Sequence, residues 1–288
     1  MEEVVKIGVL DEDRYERSKR LGIFDLKAIK RAKLLVVGAG AIGNEVLKNL
    51  VLSGYRKIDI VDMDYIVKSN LNRCLFFGDL EADEKRLKAE VVAEKLKEMA
   101  PKLKVGYHTE RIEDFKEDFI SKFHIVLGGL DNIPTRLHIN SHAYFYKIPY
   151  IDGGTLGLDG GMQVIVPPKT SCYECRLNKT HMKILNMIWC CTGRETTLFQ
   201  PKLAAEITTT AVIGALQARE ALKLTSMKMI VKDLRKKRKV SKKRAEEIFF
   251  KELSLAGKLF YYNGLRCVSE VYNIPISKNC PNHESSEV

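Results

Sequence analysis

Gly38-Ala39-Gly40-Ala41-Ile42-Gly43 follows the apolar run Lys33–Val37 and opens the helix-like segment Ala41–Leu52. A G-x-G-x-x-G turn in that setting lets a phosphate approach the backbone closely and sets its charge against a helix N-terminus. Asp62 ends the next apolar run, where a carboxylate can bind ribose hydroxyls. These features suit a dinucleotide as well as ATP. Arg73, Lys88 and Asp131 separate the two. The cations can hold phosphate oxygens, and Asp131, just past an apolar run at 124–127, can take Mg2+ near the carboxyl edge of a sheet. A dehydrogenase has no particular task for this set, whereas a nucleoside triphosphate does.

The second chemical signal is sulfur. The chain has seven cysteines, and its Met-Glu-Glu start lacks the basic and apolar pattern of a secretory leader. An odd count in that context argues for metal or thiol chemistry in a reducing compartment, with the cytoplasm as the expected location. Cys172-x-x-Cys175 and Cys280-x-x-His283 are two ligand pairs that together give a closed tetrahedral zinc set. Four protein donors leave no open position, so this Zn2+ is expected to be structural.

The elements that must position these residues alternate. Strands are expected at 33–37, 57–62, 103–108, 124–127 and 150–154, with helices at 11–31, 41–52, 85–99 and 132–146 and irregular chain over 64–83. This alternation implies an α/β fold, a doubly wound, mostly parallel Rossmann-like sheet. A different region begins near 163–166, followed by an irregular stretch over 172–200, a long helix at 202–224, a basic helical stretch at 226–253 and a terminal strand pair at 259–262 and 267–274. One domain over 1–288 is expected, with a nucleotide-binding half (1–155) and a zinc-tied second half (156–288).

The net charge of +11 is local. Residues 232–244 hold nine Lys or Arg against one Asp, and the rest of the chain holds 39 basic and 36 acidic side chains. One basic stretch on a nearly neutral protein argues against nucleic-acid binding as the primary function. No apolar run approaches the ~20 residues of a membrane span.

Taken in order, Arg14-Tyr15-x-Arg17, the glycine loop, Asp62-x-Asp64, Ser69-Asn70-Leu71-Asn72-Arg73, Lys88-Ala89-Glu90 and Asp131-Asn132-x-x-x-Arg136 resemble the ubiquitin-activating enzymes and the related sulfur-carrier adenylyltransferases of molybdopterin and thiamine biosynthesis. The resemblance runs from about residue 11 to 283, with a basic insertion at 226–256 that matches poorly. It implies adenylation of the C-terminal Gly-Gly of a ubiquitin-like protein with ATP and Mg2+. Gly38, Gly40, Gly43, Asp62, Asp64, Asn70, Arg73, Lys88, Asp131 and Asn132 would form the nucleotide site. Arg73, Lys88 and Asp131 match catalytic positions, and Arg14 matches an arginine finger that reaches across a homodimer. The family usually has Gln at Cys74 and a fourth cysteine at His283.

Cys191-Thr192-Gly193-Arg194 resembles the motif that carries the catalytic thiol of thioester-forming members, although the family's proline a few residues on is missing and Thr196-Thr197-Leu198-Phe199-Gln200 intervenes before Pro201. A crossover loop over 176–200 would carry Cys191, and a conjugating-type enzyme would receive the thioester. The alternative is a sulfur-carrier adenylyltransferase with no obligatory thioester. The sequence ends soon after His283, so a minimal enzyme is expected, without the ubiquitin-fold or rhodanese-like domain of larger relatives.

Overall fold

A computed structural model describes residues 13–177 and 205–284. Its frame is one eight-stranded sheet: β1 (Lys33–Val37), β2 (Lys57–Val61), β3 (Lys104–His108), β4 (Ile125–Gly129), β5 (Tyr150–Leu156), β6 (Asp159–Ile165), β7 (Lys258–Asn263) and β8 (Val268–Asn273). The order across the sheet is β3-β2-β1-β4-β5-β6-β7-β8. The first five strands are parallel and the last three are antiparallel. Period-two alternation explains why β1 is apolar throughout: Leu34 and Val36 enter one core layer, while Leu35 and Val37 enter the other. The doubly wound α/β expectation is met, and the sheet runs unbroken across residue 155.

The expected helix over 11–31 is two helices, α1 (Glu16–Arg20) and α2 (Leu26–Arg31). Gly22 breaks it at φ +65°, and the Asp25 carboxylate caps the second by accepting from Lys27 and Ala28 N–H. Next come α3 (Ala41–Leu52), α4 (Asp79–Asp83), α5 (Lys88–Met99) and α6 (Ile133–Phe145). Within the 64–83 stretch expected to be irregular, α4 and a 3-10 turn at Lys68–Asn70 are ordered.

The long helix α7 starts at Ile207, later than expected, because the Glu206 carboxylate caps it by accepting from Thr208 and Thr209 N–H. It packs on α3 and on β5 and β6. The basic stretch forms α8 (Met227–Arg238) and α9 (Lys242–Ile248), which bury Val231, Leu234, Ala245, Ile248 and Phe249 in a small cluster of their own. The short helix α10 (Pro281–Glu284) carries His283.

Candidate functional site

The strand order reverses between β1 and β4, and parallel α/β sheets bind ligands at the carboxyl ends of strands at such a switch point. The glycine loop leaves β1 there. Gly38 has φ +94°, and a Cβ on it would lie 2.6 Å from the Gly129 carbonyl oxygen at the end of β4. A Cβ on Gly43 would fall 2.0 Å from the Gly38 carbonyl oxygen, so α3 can start this close to the loop only with glycine there. Gly40 differs: nothing lies within 4 Å of its Cβ position. As the N-cap of α3 it turns open space and unsatisfied N–H groups towards an incoming anion.

The loop is braced from two sides. Asp62, just past β2, accepts from Ala39 N–H through Oδ2 (2.6 Å) and from Asp64 N–H through Oδ1 (2.9 Å). Each oxygen keeps a lone pair, which leaves a ribose contact open. Burial raises the Asp62 carboxyl above its ordinary value, against the opposing influence of Lys88 and the two backbone donors. On the other side Asn44, fully buried in α3, donates to the carbonyls of Ala39 (2.7 Å) and Gly40 (3.1 Å). Its Oδ1 accepts from Phe76 N–H at 2.9 Å, which ties the glycine loop to the segment that carries Arg73. Sequence reasoning missed Asn44; its one signal is an amide among the apolar residues of α3.

Lys88 lies on the same side of the sheet. Its Nζ is 2.7 Å from Asp64 Oδ2, and its backbone N–H donates to the Asp64 carbonyl at 2.9 Å. An antiparallel bridge between Tyr65 and Leu87 holds the two segments together. Arg73 is tethered at the end of its own turn, donating to the Ser69 carbonyl and to Asn72 Oδ1. Asn70 is buried and accepts from Val67 N–H at 3.1 Å, which closes that turn. Cys74 sits beneath these charges. Burial pushes its thiol up to about 11, although Arg73 and Lys88 pull the other way.

Asp131 is exposed two residues past β4, whose last residue, Gly129, abuts Gly38 of the glycine loop, and the Asn132 amide lies 3.4 Å from its Oδ1. Asn132 caps α6 by accepting from Thr135 N–H at 2.9 Å. The structure therefore gathers Gly38, Gly40, Gly43, Asp62, Asp64, Asn70, Arg73, Lys88, Asp131 and Asn132 along one sheet edge. Arg14 lies apart from them. Its Nη2 donates to the Met99 carbonyl at 3.1 Å, at the opposite end of α5 from Lys88 and about 16 Å along the helix axis. Cys190, Cys191, Thr192 and Arg194, and the proposed crossover loop beyond Leu177, lie outside the described residues.

The sulfur cluster is assembled. The donor atoms of Cys172, Cys175, Cys280 and His283 all lie within 4.8 Å of one another. Cys172 Sγ lies 3.4 Å from Cys280 Sγ and 3.8 Å from Cys175 Sγ, and Cys175 Sγ lies 3.7 Å from His283 Nδ1. A tetrahedron with ~2.3 Å zinc–sulfur bonds has ligand edges of roughly 3.8 Å, so the donor set fits Zn2+. His283 Nε2 lies 3.3 Å from the Thr170 carbonyl, an outer partner that fixes the ring with Nδ1 towards the thiols.

The ThiF family model matches residues 4–281. Among curated proteins, the chain is 41% identical over 167 residues to a NEDD8-activating enzyme E1 catalytic subunit of Caenorhabditis elegans, a match spanning 54% of this chain and 38% of that one. It is 38% identical over 158 residues to SUMO-activating enzyme subunit 2 of Dictyostelium discoideum, across 54% of this chain and 24% of that one. The matched regions thus span well under half the length of these relatives. Among solved structures, E. coli MccB with ATP superposes at a TM-score of 0.70 with 20% identity, covering 95% of this chain and 75% of that one. At that identity the likeness shows the fold.

Proposed function

The chain belongs to the ThiF family, as its resemblance to the ubiquitin-activating enzymes led us to expect, and from that premise we propose that it activates the C-terminal glycine of a ubiquitin-like protein by ATP-dependent adenylation. One observation carries the reading: the open Gly40 face follows β1, Asp62 and the Asp64–Lys88 pair follow β2, and Asp131 follows β4, all beyond the carboxyl ends of the parallel strands around the β1/β4 switch point. The named relatives, which activate NEDD8 and SUMO, point to the same class of substrate.

In the reaction the carrier's terminal carboxylate attacks the α-phosphorus of ATP. A carboxyl-oxygen–phosphorus bond forms, the bond to the bridging oxygen breaks, and pyrophosphate leaves. The loop amides and the N-terminus of α3 take phosphate oxygens. Asp62 and Asn44 hold that loop without adjustment during the reaction. Lys88, kept in place by Asp64, and Arg73 offset the charge of the triphosphate. Asp131 is the residue that would hold Mg2+, which when bound neutralises phosphate charge. Cys172, Cys175, Cys280 and His283 would hold a structural Zn2+.

Arg14 would complete the site of a second copy in a homodimer; its distance from its own chain's Lys88 favours that arrangement. Arg14→Ala mixed with Asp131→Ala would then regain activity through one intact composite site, whereas no rescue in demonstrated mixed dimers would place Arg14 in cis or outside the mechanism.

The finer part of the proposal is a second step. The acyl adenylate is a mixed anhydride, so the Cys191 thiolate can take the acyl group and release AMP, forming a thioester for a conjugating-type enzyme. The Cys-Thr-x-Arg motif supports this step. Incubation with Mg-ATP and Gly-Gly-tailed carriers, followed by non-reducing electrophoresis, tests it. A thiol-sensitive carrier-linked band is expected, lost in Cys191→Ala and kept in Cys190→Ala. Adenylation without any band would leave the sulfur-carrier adenylyltransferase reading standing.

A further inference from the structure

Arg176, the residue after Cys175, is neither a member of the metal-ligand set nor one of the residues named for the nucleotide site. Its Nη2 is 3.5 Å from Asp152 Oδ2, and its guanidinium lies 4.3 Å over the Tyr173 ring. Asp152 is 1% exposed, too deep for a carboxylate without partners. Its Oδ2 also accepts from Arg136 Nη1 at 2.6 Å, and its Oδ1 accepts from the Tyr150 hydroxyl at 2.9 Å. Arg136 extends from α6 and donates through Nη2 to the carbonyls of Leu130 and Gly153. Leu130 is the residue before Asp131.

The metal-ligand loop that carries Arg176 is itself held. Tyr173 N–H donates to Asn140 Oδ1 of α6 at 2.8 Å, and Gln163 Nε2 of β6 donates to the Cys172 carbonyl at 3.1 Å. One buried carboxylate therefore joins the Cys172–Cys175 loop to the loop that presents Asp131.

We propose that Arg176 is a positioning residue for the nucleotide site, orienting Asp152 and, through Arg136 and the Leu130 carbonyl, the loop that ends in Asp131. The inference rests on the reading of Asp131 as the residue that holds Mg2+. With Arg136 as its sole cationic partner, Asp152 could swing and take Arg136 with it. A second guanidinium on Oδ2 and a hydroxyl on Oδ1 leave it one orientation. The Leu130 carbonyl is then fixed by a charge-assisted bond, and Asp131 starts from a fixed backbone. Arg176 touches no reacting atom, so its effect appears in how well Mg-ATP is held.

Calorimetric titration of the full chain with ATP, with and without Mg2+, tests this on wild type, Arg176→Gln and Arg176→Lys, with zinc content measured for each. Arg176→Gln is expected to keep its zinc and to bind Mg-ATP about tenfold more weakly, within the range by which a substitution in a connected side-chain network changes a remote site. Its affinity for ATP without Mg2+ should stay at the wild-type value, and Arg176→Lys, which still pairs with Asp152, should recover most of the loss. Equal Mg-ATP affinity in Arg176→Gln would overturn the proposal. So would a loss that is the same with and without Mg2+, or a loss of zinc or fold, since either makes Arg176 a structural residue of the metal loop. A wild-type chain with no Mg2+-dependent ATP binding would instead overturn the reading of Asp131, and this inference with it.

Discussion

Cys74 shows how one position can sit inside a charged site without joining its chemistry. It is 3% exposed, lies within electrostatic reach of Arg73, Lys88 and Asp62, and is held neutral by burial, with its thiol pushed up to about 11. At pH 8 the thiolate, the only form that alkylates readily, is then a fraction on the order of 0.001. Native protein treated with iodoacetamide at pH 8 should therefore be modified at exposed Cys267 and spared at Cys74. Cys74 labelling should rise only as pH climbs towards 11 or as the chain unfolds. Equal labelling of the two residues at pH 8, read by mass spectrometry, would show that the Cys74 thiol is open to solvent.

At the scale of elements, the glycine loop performs two separable jobs. Gly43 permits the fold, because a methyl group there would collide with the Gly38 backbone at 2.0 Å. Gly40 is not needed by the fold, because a methyl group there meets nothing and the backbone has an ordinary negative φ of −73°, so its open space is what the proposed ATP site would use. Gly43→Ala should lower stability by about 2–3 kcal/mol or fail to fold. Gly40→Ala should melt like wild type and yet lose ATP affinity, because the added Cβ occupies the phosphate's approach. Thermal melts with and without ATP check both. A Gly40→Ala protein that keeps full ATP protection would move the phosphate site elsewhere.

The same elements show what was legible in advance. Lys33–Val37 and Ala41–Leu52 could be read to the residue, because a buried parallel strand and the helix after a glycine loop have strong local patterns. The helix over 11–31 was overextended because its apolar spacing continues past Gly22, where only the backbone shows the break. Strand β6 (Asp159–Ile165) is legible in the sequence only as a change of region near 163–166, because its Gly160-Gly161 pair has no side chain to register in a period-two pattern. At the site, residues in motifs were legible, while Asn44, Asp152 and Arg176 were not. Their roles come from partners far away in sequence, such as Phe76 for Asn44 and Arg136 for Asp152.

At the scale of the molecule, Cys172 and Cys175 meet Cys280 and His283 across more than a hundred residues, so a bound metal would close a very long loop. Cys280→Ser should lose zinc and stability together, with a lower thermal midpoint that added Zn2+ does not restore. An unchanged midpoint would make the cluster dispensable to the fold.

The proposed adenylation of a carrier protein at the β1/β4 switch point is read by carrier-dependent ATP–pyrophosphate exchange. The wild-type chain should catalyse exchange only when a Gly-Gly-tailed carrier is present, and Asp131→Ala should lower the rate by at least about 100-fold. Exchange that persists in Asp131→Ala, or that proceeds equally well without any carrier, would contradict the account.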